Sequence, residues 1–240
     1  MRIVIFALIA TGLAALAYRP QRDPLPEFPR IMIWAWERPE KLDFLDPREA
    51  GVAFLARTVT VHSGTVTVRP RLQPLSVAPE TALMAVVRVE SQDPQPAARI
   101  AVEHAILDAT ELHGVHALQI DYDARASERD FYRAVIEDLR RVLPGSMPLS
   151  ITALASWCEY DDWTSGLPVA EAVPMLFRMG AEPYRAGAEL RAAKCQTSVG
   201  ISTDEPLPQL PRGRRVYIFH PRSWSRDELR AAIQEVRRWQ

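Results

Sequence analysis

Asparagine is absent from this chain of 240 residues, and only two of its 29 basic residues, Lys41 and Lys194, are lysines. The absence excludes the asparagine amide as a metal ligand or as a catalytic hydrogen-bond donor. The formal net charge at pH 7 is −1, so the chain lacks the positive field that recruits nucleic acid or an anionic membrane surface. We therefore expect no nucleic-acid partner.

Cysteine and histidine are too few and too scattered to predict a metal or cofactor site. The five histidines lack ligand spacing, and no thiol joins them. The two cysteines, Cys158 and Cys195, fall at the end of one predicted strand and before the start of another. In a parallel barrel these are opposite ends, beyond the roughly 7 Å between Cα atoms that a disulfide allows. We expect two buried thiols, no metal and no cofactor.

Residues 1–17 have the pattern of a secretory signal peptide. A positive charge near the N-terminus precedes an apolar run, and Ala15-Leu16-Ala17 forms a small-x-small cleavage pattern before Tyr18. The apolar run is short for a membrane span, which needs roughly 20 residues. We expect cleavage and a periplasmic or secreted protein. The alternative is a membrane anchor formed by residues 3–17.

The remaining chain divides into a tether and one domain. Residues 18–30 contain four prolines and are predicted to be extended, and residues 31–240 alternate between short apolar strands and helical patterns. The predicted strands are Ile31–Trp36, Val52–Val61, Ala82–Glu90, Ala117–Asp123, Leu149–Trp157, Val173–Met179, Ser198–Thr203 and Val216–His220. Helices are predicted over 97–112, 128–143, 184–193 and 226–239, the last behind a capping box formed by Ser225 and Glu228.

This order predicts an α/β fold, an irregular (β/α)8 TIM-type barrel with some helices shortened or missing. The second helix is replaced by a hairpin around His62-Ser63-Gly64. The seventh has too little room in the proline-rich link from Glu205 to Gly213. An open doubly wound sheet is the alternative, but it would carry a glycine-rich phosphate turn near the first strand, and none is present.

The fourth predicted strand carries the main functional signal. Alternate residues of a strand share a face, so one face carries Gln119, Asp121 and Asp123 and the other carries Leu118, Ile120 and Tyr122. Parallel strands covered by helices are usually apolar on both faces. A strand that becomes acidic toward its C-terminal end therefore predicts the mouth of a barrel, where such enzymes keep their chemistry. The alternative is a pair of exposed acids in a loop.

Aromatic side chains beside carboxylates at the strand ends are typical of a sugar site. We predict Asp123 and Glu37 as acid and base, with Asp121 raising the pKa of its neighbour by like-charge repulsion. The predicted substrate-binding residues are Trp36, Trp157, Glu90, Arg88, Asp204, Arg178 and His220. The alternatives are core packing for the tryptophans, ion pairing for the arginines and a structural role for the histidine.

Two family resemblances bear on this interpretation. The segments 33–40, 119–129 and 149–158 resemble a bacterial envelope family catalogued as domain of unknown function 3142, which carries no established activity. The Asp121-x-Asp123 strand is also similar to the fourth strand of family-18 chitinase-like barrels, whose pattern is Asp-x-x-Asp-x-Asp-x-Glu. Leu118 stands at the first acid of that pattern and Arg125 at its catalytic glutamate. The second resemblance therefore implies the barrel placement and not the chitinase reaction.

The sequence thus predicts an extracytoplasmic barrel that binds or hydrolyses a glycan, or another small polar substrate, in an acidic cleft lined by tryptophan. A glycoside hydrolase is one interpretation. The competing interpretation is a non-catalytic envelope scaffold or binding module with a degenerate site, which Arg125 favours. A membrane partner is expected only if the N-terminal segment is retained as an anchor.

Overall fold

The structure is a computed structural model that describes residues 23–179, 189–208 and 212–240. The predicted signal peptide, the first residues of the predicted tether and most of the helix predicted over 184–193 lie outside the described residues. Within the described ranges, no helix has both the length and the apolar character needed to cross a membrane.

The described chain forms eleven strands and four α-helices. The strands are β1 (Ile31–Ala35), β2 (Glu40–Leu42), β3 (Gly51–His62), β4 (Thr65–Pro70), β5 (Leu75–Val77), β6 (Leu83–Gln92), β7 (Val115–Asp121), β8 (Leu149–Leu154), β9 (Glu171–Met175), β10 (Ser198–Ser202) and β11 (Arg215–Phe219). The helices are α1 (Arg99–Leu107), α2 (Arg129–Val142), α3 (Ala155–Glu159) and α4 (Arg226–Trp239).

Eight of these strands close a parallel barrel. Around the barrel they run β1, β3, β6, β7, β8, β9, β10 and β11, and β11 pairs with β1 to complete the ring. Each is one of the eight predicted strands, so the predicted barrel is confirmed. Strand β4 pairs antiparallel with β3 in the predicted hairpin, and β2 and β5 form a small separate sheet.

Three of the predicted helices are described, two of them with shifted ends. Helix α2 buries Tyr132, Val135, Ile136 and Leu139 at helical spacing. Helix α4 has the predicted bounds and capping box. Helix α1 ends five residues before the predicted position, where the Thr110 hydroxyl donates to the Leu107 carbonyl at 2.7 Å. The strand predicted to reach Trp157 ends at Leu154, because the chain turns there into α3.

The core has one layer outside the barrel and one inside. Leu118, Ile120 and Tyr122 belong to the outer layer, which packs against α1 and α2. The inner layer comprises Met32, Trp34, Ala53, Met84, Val86, Ala117, Val173 and Tyr217, with Leu25 and Phe28 beneath them. The predicted alternation along β7 is confirmed, so Gln119 and Asp121 point into the barrel.

The N-terminal end of the barrel is covered by residues 23–30, which lie within the segment predicted as a tether. Leu25 is fully buried and Phe28 nearly so. The guanidinium of Arg215, also fully buried, contacts Asp23 at 3.1 Å. It also donates to the carbonyl oxygens of Leu25, Phe28 and Pro29. This part of the predicted tether is therefore packed against the barrel.

Cys158 and Cys195 form a disulfide, so the prediction of two free thiols was wrong. Their Cα atoms lie 5.8 Å apart. The prediction assumed that Cys158 ends a strand at the barrel mouth, but it lies on α3, which leaves the strand direction after Leu154. Helix α3 and the 3-10 turn at Ala193–Cys195 both contact β9. This brings the two cysteines together outside the barrel wall.

Candidate functional site

A cleft of about 1040 Å³ opens at the C-terminal ends of the barrel strands. Its two walls differ in chemistry. The polar wall consists of Arg88, Asp121, Asp123, Thr152 and Ser156, on or just after β6, β7 and β8. The aromatic wall consists of Trp34, Trp36, Phe177 and Phe219, on or just after β1, β9 and β11. Because β6, β7 and β8 are neighbours in the barrel, the polar side chains gather on one side of the mouth.

Asp121 is the fixed carboxylate of the polar wall. Its side chain is only 4% exposed, and it accepts hydrogen bonds from Arg88 Nη1 at 2.7 Å and from the Thr152 hydroxyl at 2.8 Å. Arg88 also contacts Glu90, with 3.0 Å between Nε and Oε1. These groups satisfy one another, so Asp121 and Arg88 hold β6, β7 and β8 in register at the mouth.

Asp123 differs from Asp121, although only one residue separates them. It is exposed in the cleft, and none of the described residues hydrogen-bonds or ion-pairs with its carboxyl group. Partial burial and the nearby Asp121 carboxylate raise the pKa of Asp123 above its usual 3.8, although Arg88 opposes the shift. Asp123 is therefore a carboxyl group free to accept or donate a hydrogen bond to a ligand.

The aromatic wall rests on Trp34 at the floor of the cleft. The Trp34 indole donates to Gln119 Oε1 at 2.8 Å. Gly200 lies beside this ring, and a Cβ atom there would come within 2.7 Å of it, so only glycine leaves room. The rings of Phe177 and Phe219 stack above, 5.6 Å between centroids and 4° from parallel. Trp36 meets Phe219 edge to face at 6.4 Å.

Two arginines stand beside the aromatic wall, and they differ in what they bind. Arg38 is engaged, since it contacts Glu40 at 3.1 Å and donates to the carbonyl oxygens of His220 and Pro221. Arg178 is exposed, and its guanidinium carbon lies 5.0 Å from the centre of the Phe219 ring. No carboxylate of the described chain comes within 4 Å of the Arg178 guanidinium.

Five of the predicted site residues line the cleft: Asp121, Asp123, Trp36, Arg88 and Arg178. The other five lie elsewhere: Glu37, Trp157, Glu90, Asp204 and His220. Of these, Glu90 is exposed and bound to Arg88, while Asp204 accepts a hydrogen bond from Ser202, which lowers the pKa of Asp204. Both carboxylates are thus occupied by groups of the protein itself.

Glu37 and Trp157 have surroundings that differ from those predicted. Glu37 Oε1 accepts from the backbone amides of Leu72 and Gln73 at 3.1 and 3.3 Å, and so fixes the loop after β4. Trp157 is 3% exposed and packs edge to face on Trp163 at 4.9 Å, behind the cleft wall. Its predicted place at a strand end was wrong, because α3 turns it outward.

His220 is placed as a packing residue beside the cleft. It is nearly buried, stacks on Trp224 with 4.5 Å between centroids, and its Nδ1 lies 2.6 Å from the Thr203 hydroxyl. Burial lowers the pKa of His220. The neutral imidazole therefore links β11 to the segment after β10 at neutral pH.

Phe177, Phe219 and Arg38 line the cleft but were missed in the sequence. The signal for the two phenylalanines was present, because Val173 and Tyr217 point into the barrel and the alternation continues from each of them toward the mouth. Arg38 follows β1 in an irregular segment, where alternation gives no prediction.

The described residues contain no group of three or more His, Cys, Asp or Glu side chains able to hold a metal ion. Carboxylate, hydroxyl, guanidinium and aromatic groups are what the cleft offers a ligand. Such a set can bind hydroxyl groups and apolar ring faces, and Asp123 can exchange a proton.

The fold and the cleft define a closed parallel barrel of eight strands whose site lies at the C-terminal mouth. Residues 80–181 match the family described as Domain of unknown function (DUF3142). This match confirms the predicted resemblance over that part of the chain, which carries the whole polar wall together with Phe177 and Arg178. No curated protein and no solved structure matches the chain. The similarity to family-18 chitinase-like barrels is not confirmed.

Proposed function

We propose that the protein binds a glycan in the cleft at the barrel mouth. The observation that carries this proposal is the pairing of an aromatic wall with a polar wall across one open cleft. The apolar faces of sugar rings pack on aromatic rings, and sugar hydroxyl groups hydrogen-bond to carboxylates and hydroxyls. The half-buried rings of Trp36, Phe177 and Phe219 supply the first, and Asp123 supplies the second.

The test is binding of a panel of envelope and extracellular polysaccharides, with affinity measured by calorimetry for each glycan that is retained. Trp36→Ala and Asp123→Asn should each weaken binding at least tenfold. Tyr160→Ala and Asp227→Asn are matched controls, since both side chains are highly exposed away from the cleft. Unchanged affinity in Trp36→Ala, or a parent protein that retains no glycan, would overturn the proposal.

Hydrolysis of the bound glycan is a second candidate function, favoured by the raised pKa of Asp123. A carboxyl group of raised pKa can act as a general acid. Glycosidases use a pair of carboxyl groups about 5 to 10 Å apart across the scissile bond. Here Asp121 is held by Arg88 and Thr152, and Glu37 binds backbone amides outside the cleft. We therefore favour glycan binding over glycan hydrolysis as the proposed function.

Release of reducing ends from each retained glycan tests the second candidate. Hydrolysis predicts turnover by the parent protein and none by Asp123→Asn, which is nearly the same size. A parent protein that binds a glycan without cleaving it would refute the hydrolysis hypothesis and leave the binding hypothesis intact.

We further propose that the protein works outside the cytoplasm. The disulfide between Cys158 and Cys195 supports this, because disulfides persist in oxidising compartments. The expected result is a mature chain that starts at or near Tyr18, found by mass spectrometry of protein isolated from its host. An intact Met1 on soluble cytoplasmic protein would contradict it, and an intact N-terminus in the membrane fraction would favour the anchor.

A further inference from the structure

We propose that the glycan bound in the cleft carries carboxylate groups, and that Arg178 binds one of them. The inference rests on the proposed glycan-binding function and names its substrate class. The basis is a comparison of the charged groups at the cleft: some are paired with other groups of the protein, and others have no such partner among the described residues.

Among the residues that the structure describes, three arginines line the cleft, and two of them are occupied. Arg88 binds Asp121 and Glu90. Arg38 binds Glu40 and two backbone carbonyls. The guanidinium of Arg178 has no carboxylate within 4 Å among the residues that the structure describes. One cation of the three is thus left for a ligand.

Arg178 is also held in place by the protein. Its backbone φ is 53°, in the left-handed region that arginine rarely adopts. Its backbone N–H donates to Glu205 Oε1 at 2.9 Å, and its guanidinium lies over the Phe219 ring. Strained residues that are fixed by their surroundings are concentrated at ligand sites. The side chain is therefore presented at the cleft beside the aromatic wall that we propose packs against a sugar.

A carboxylate fits this site better than a phosphate group, which carries a higher negative charge. Phosphate sites in proteins are typically clusters of arginines, whereas a single planar guanidinium can bind one carboxylate through two parallel hydrogen bonds. Asp204 lies close enough for Arg178 to contribute to its lowered pKa. The negative charges of Asp204 and of Asp123, which belongs to the polar wall, both repel a ligand that carries more than a small negative charge.

The experiment compares three polyuronates, polygalacturonate, alginate and hyaluronate, each with its carboxyl-reduced counterpart, and adds dextran sulfate. We expect the parent protein to bind at least one polyuronate tenfold or more tightly than its reduced form. The preference should shrink as salt is raised, since it depends on an exposed charge. Arg178→Gln should reduce the preference to less than twofold, whatever its effect on affinity for the reduced form.

Arg178→Lys and Arg238→Gln are the controls. The lysine variant keeps the positive charge and should therefore keep part of the preference for the polyuronate. This result would show that Arg178→Gln acts through the lost charge and not through a change of fold. Arg238 is an exposed arginine on α4, outside the cleft lining, so its loss should change nothing. Circular dichroism of each variant shows whether the fold is kept.

Equal affinity for a polyuronate and its reduced form would overturn the inference and leave the proposed function in place. Tighter binding of dextran sulfate than of any polyuronate would overturn the carboxylate as the group recognised. A parent that binds neutral glycans but no polyuronate would also overturn the inference. Failure to bind any glycan, neutral or acidic, would overturn the proposed function itself.

Discussion

Asp121→Asn and Asp123→Asn are the same chemical change made two residues apart, and the structure predicts different effects on stability. Asp121 is nearly buried and bound to Arg88 and Thr152. Asp123 is exposed in the cleft without a partner among the described residues. The first substitution should destabilise the protein, and the second should leave its stability unchanged or slightly higher.

The magnitude follows from the contacts of Asp121. Removing its charge weakens the hydrogen bond from Arg88 at 2.7 Å, and a hydrogen bond to a charged group contributes about 1.5–3 kcal/mol. The Arg88 side chain is 35% exposed, so water can solvate it after the change. The cost then stays below the roughly 3–5 kcal/mol of a fully buried pair. We expect Asp121→Asn to lose about 2 kcal/mol of unfolding free energy.

Asp123→Asn removes a charge that is repelled by Asp121, and relief of such repulsion at a functional site stabilises by up to about 1 kcal/mol. The raised pKa of Asp123 also gives the sign of the pH dependence. The folded state binds this proton more tightly than the unfolded state, so the associated stability is present at low pH. It is lost as pH rises from about 3.8 through the raised pKa. The Asn variant should lack this decrease.

The assay is guanidinium unfolding of the parent and both variants across pH, with the slopes of the transitions compared to check that unfolding stays two-state. A larger loss of stability in Asp123→Asn than in Asp121→Asn would refute the reasoning. So would a loss below about 0.5 kcal/mol in Asp121→Asn, the level at which surface substitutions scatter.

Three further predictions concern the barrel and its closure. Ile120→Asp places an unpaired charge in the outer core layer and should cost about 3 kcal/mol or more; a melting temperature close to that of the parent would show that the alternation along β7 is wrong. Arg215→Met leaves the fully buried carboxylate of Glu171 without the guanidinium 3.7 Å away and should cost about 3–5 kcal/mol. It also removes the contact with Asp23 and should speed proteolysis before β1; equal proteolysis rates would contradict this. Replacing Cys158 and Cys195 by Ser opens a link across 37 residues and should cost about 3–4 kcal/mol. The parent should lose the same stability in reductant, and a transition midpoint insensitive to reductant would speak against the disulfide.

The barrel could be predicted because its strands carry a signal that needs no long-range information. Short apolar runs bounded by turn residues predicted all eight barrel strands, and alternation along β7 gave the direction of each side chain. The disulfide could not be found this way. It depends on where α3 turns after Leu154, and a run that reads as a continuing strand conceals that turn. The packing of Leu25 likewise depends on Arg215, almost two hundred residues away in sequence.

The polar wall was easier to predict than the aromatic wall for a physical reason. A carboxylate such as Asp121 on a barrel strand is costly to bury unless it has a partner, so its presence marks a special position. Phe177 and Phe219 carry no such cost anywhere in a barrel, and nothing local distinguishes a ring in the core from one at the cleft. Glu37 and Trp157 were predicted as site residues but do not line the cleft. Their residue types suit a sugar site, but their positions do not.

The contacts at the mouth separate residues that hold the cleft from residues that are free to bind. Arg88, Asp121 and Thr152 satisfy one another across β6, β7 and β8, so changing them alters the shape of the barrel before it alters recognition. Asp123 and Arg178 have no such bonds among the described residues, and they stand on opposite walls. Substitutions at these two should therefore change which ligand is bound while the barrel stays folded. Under the proposed function, the spacing of these two charged groups among the described residues would select the ligand, and the aromatic wall would supply affinity without strict selectivity.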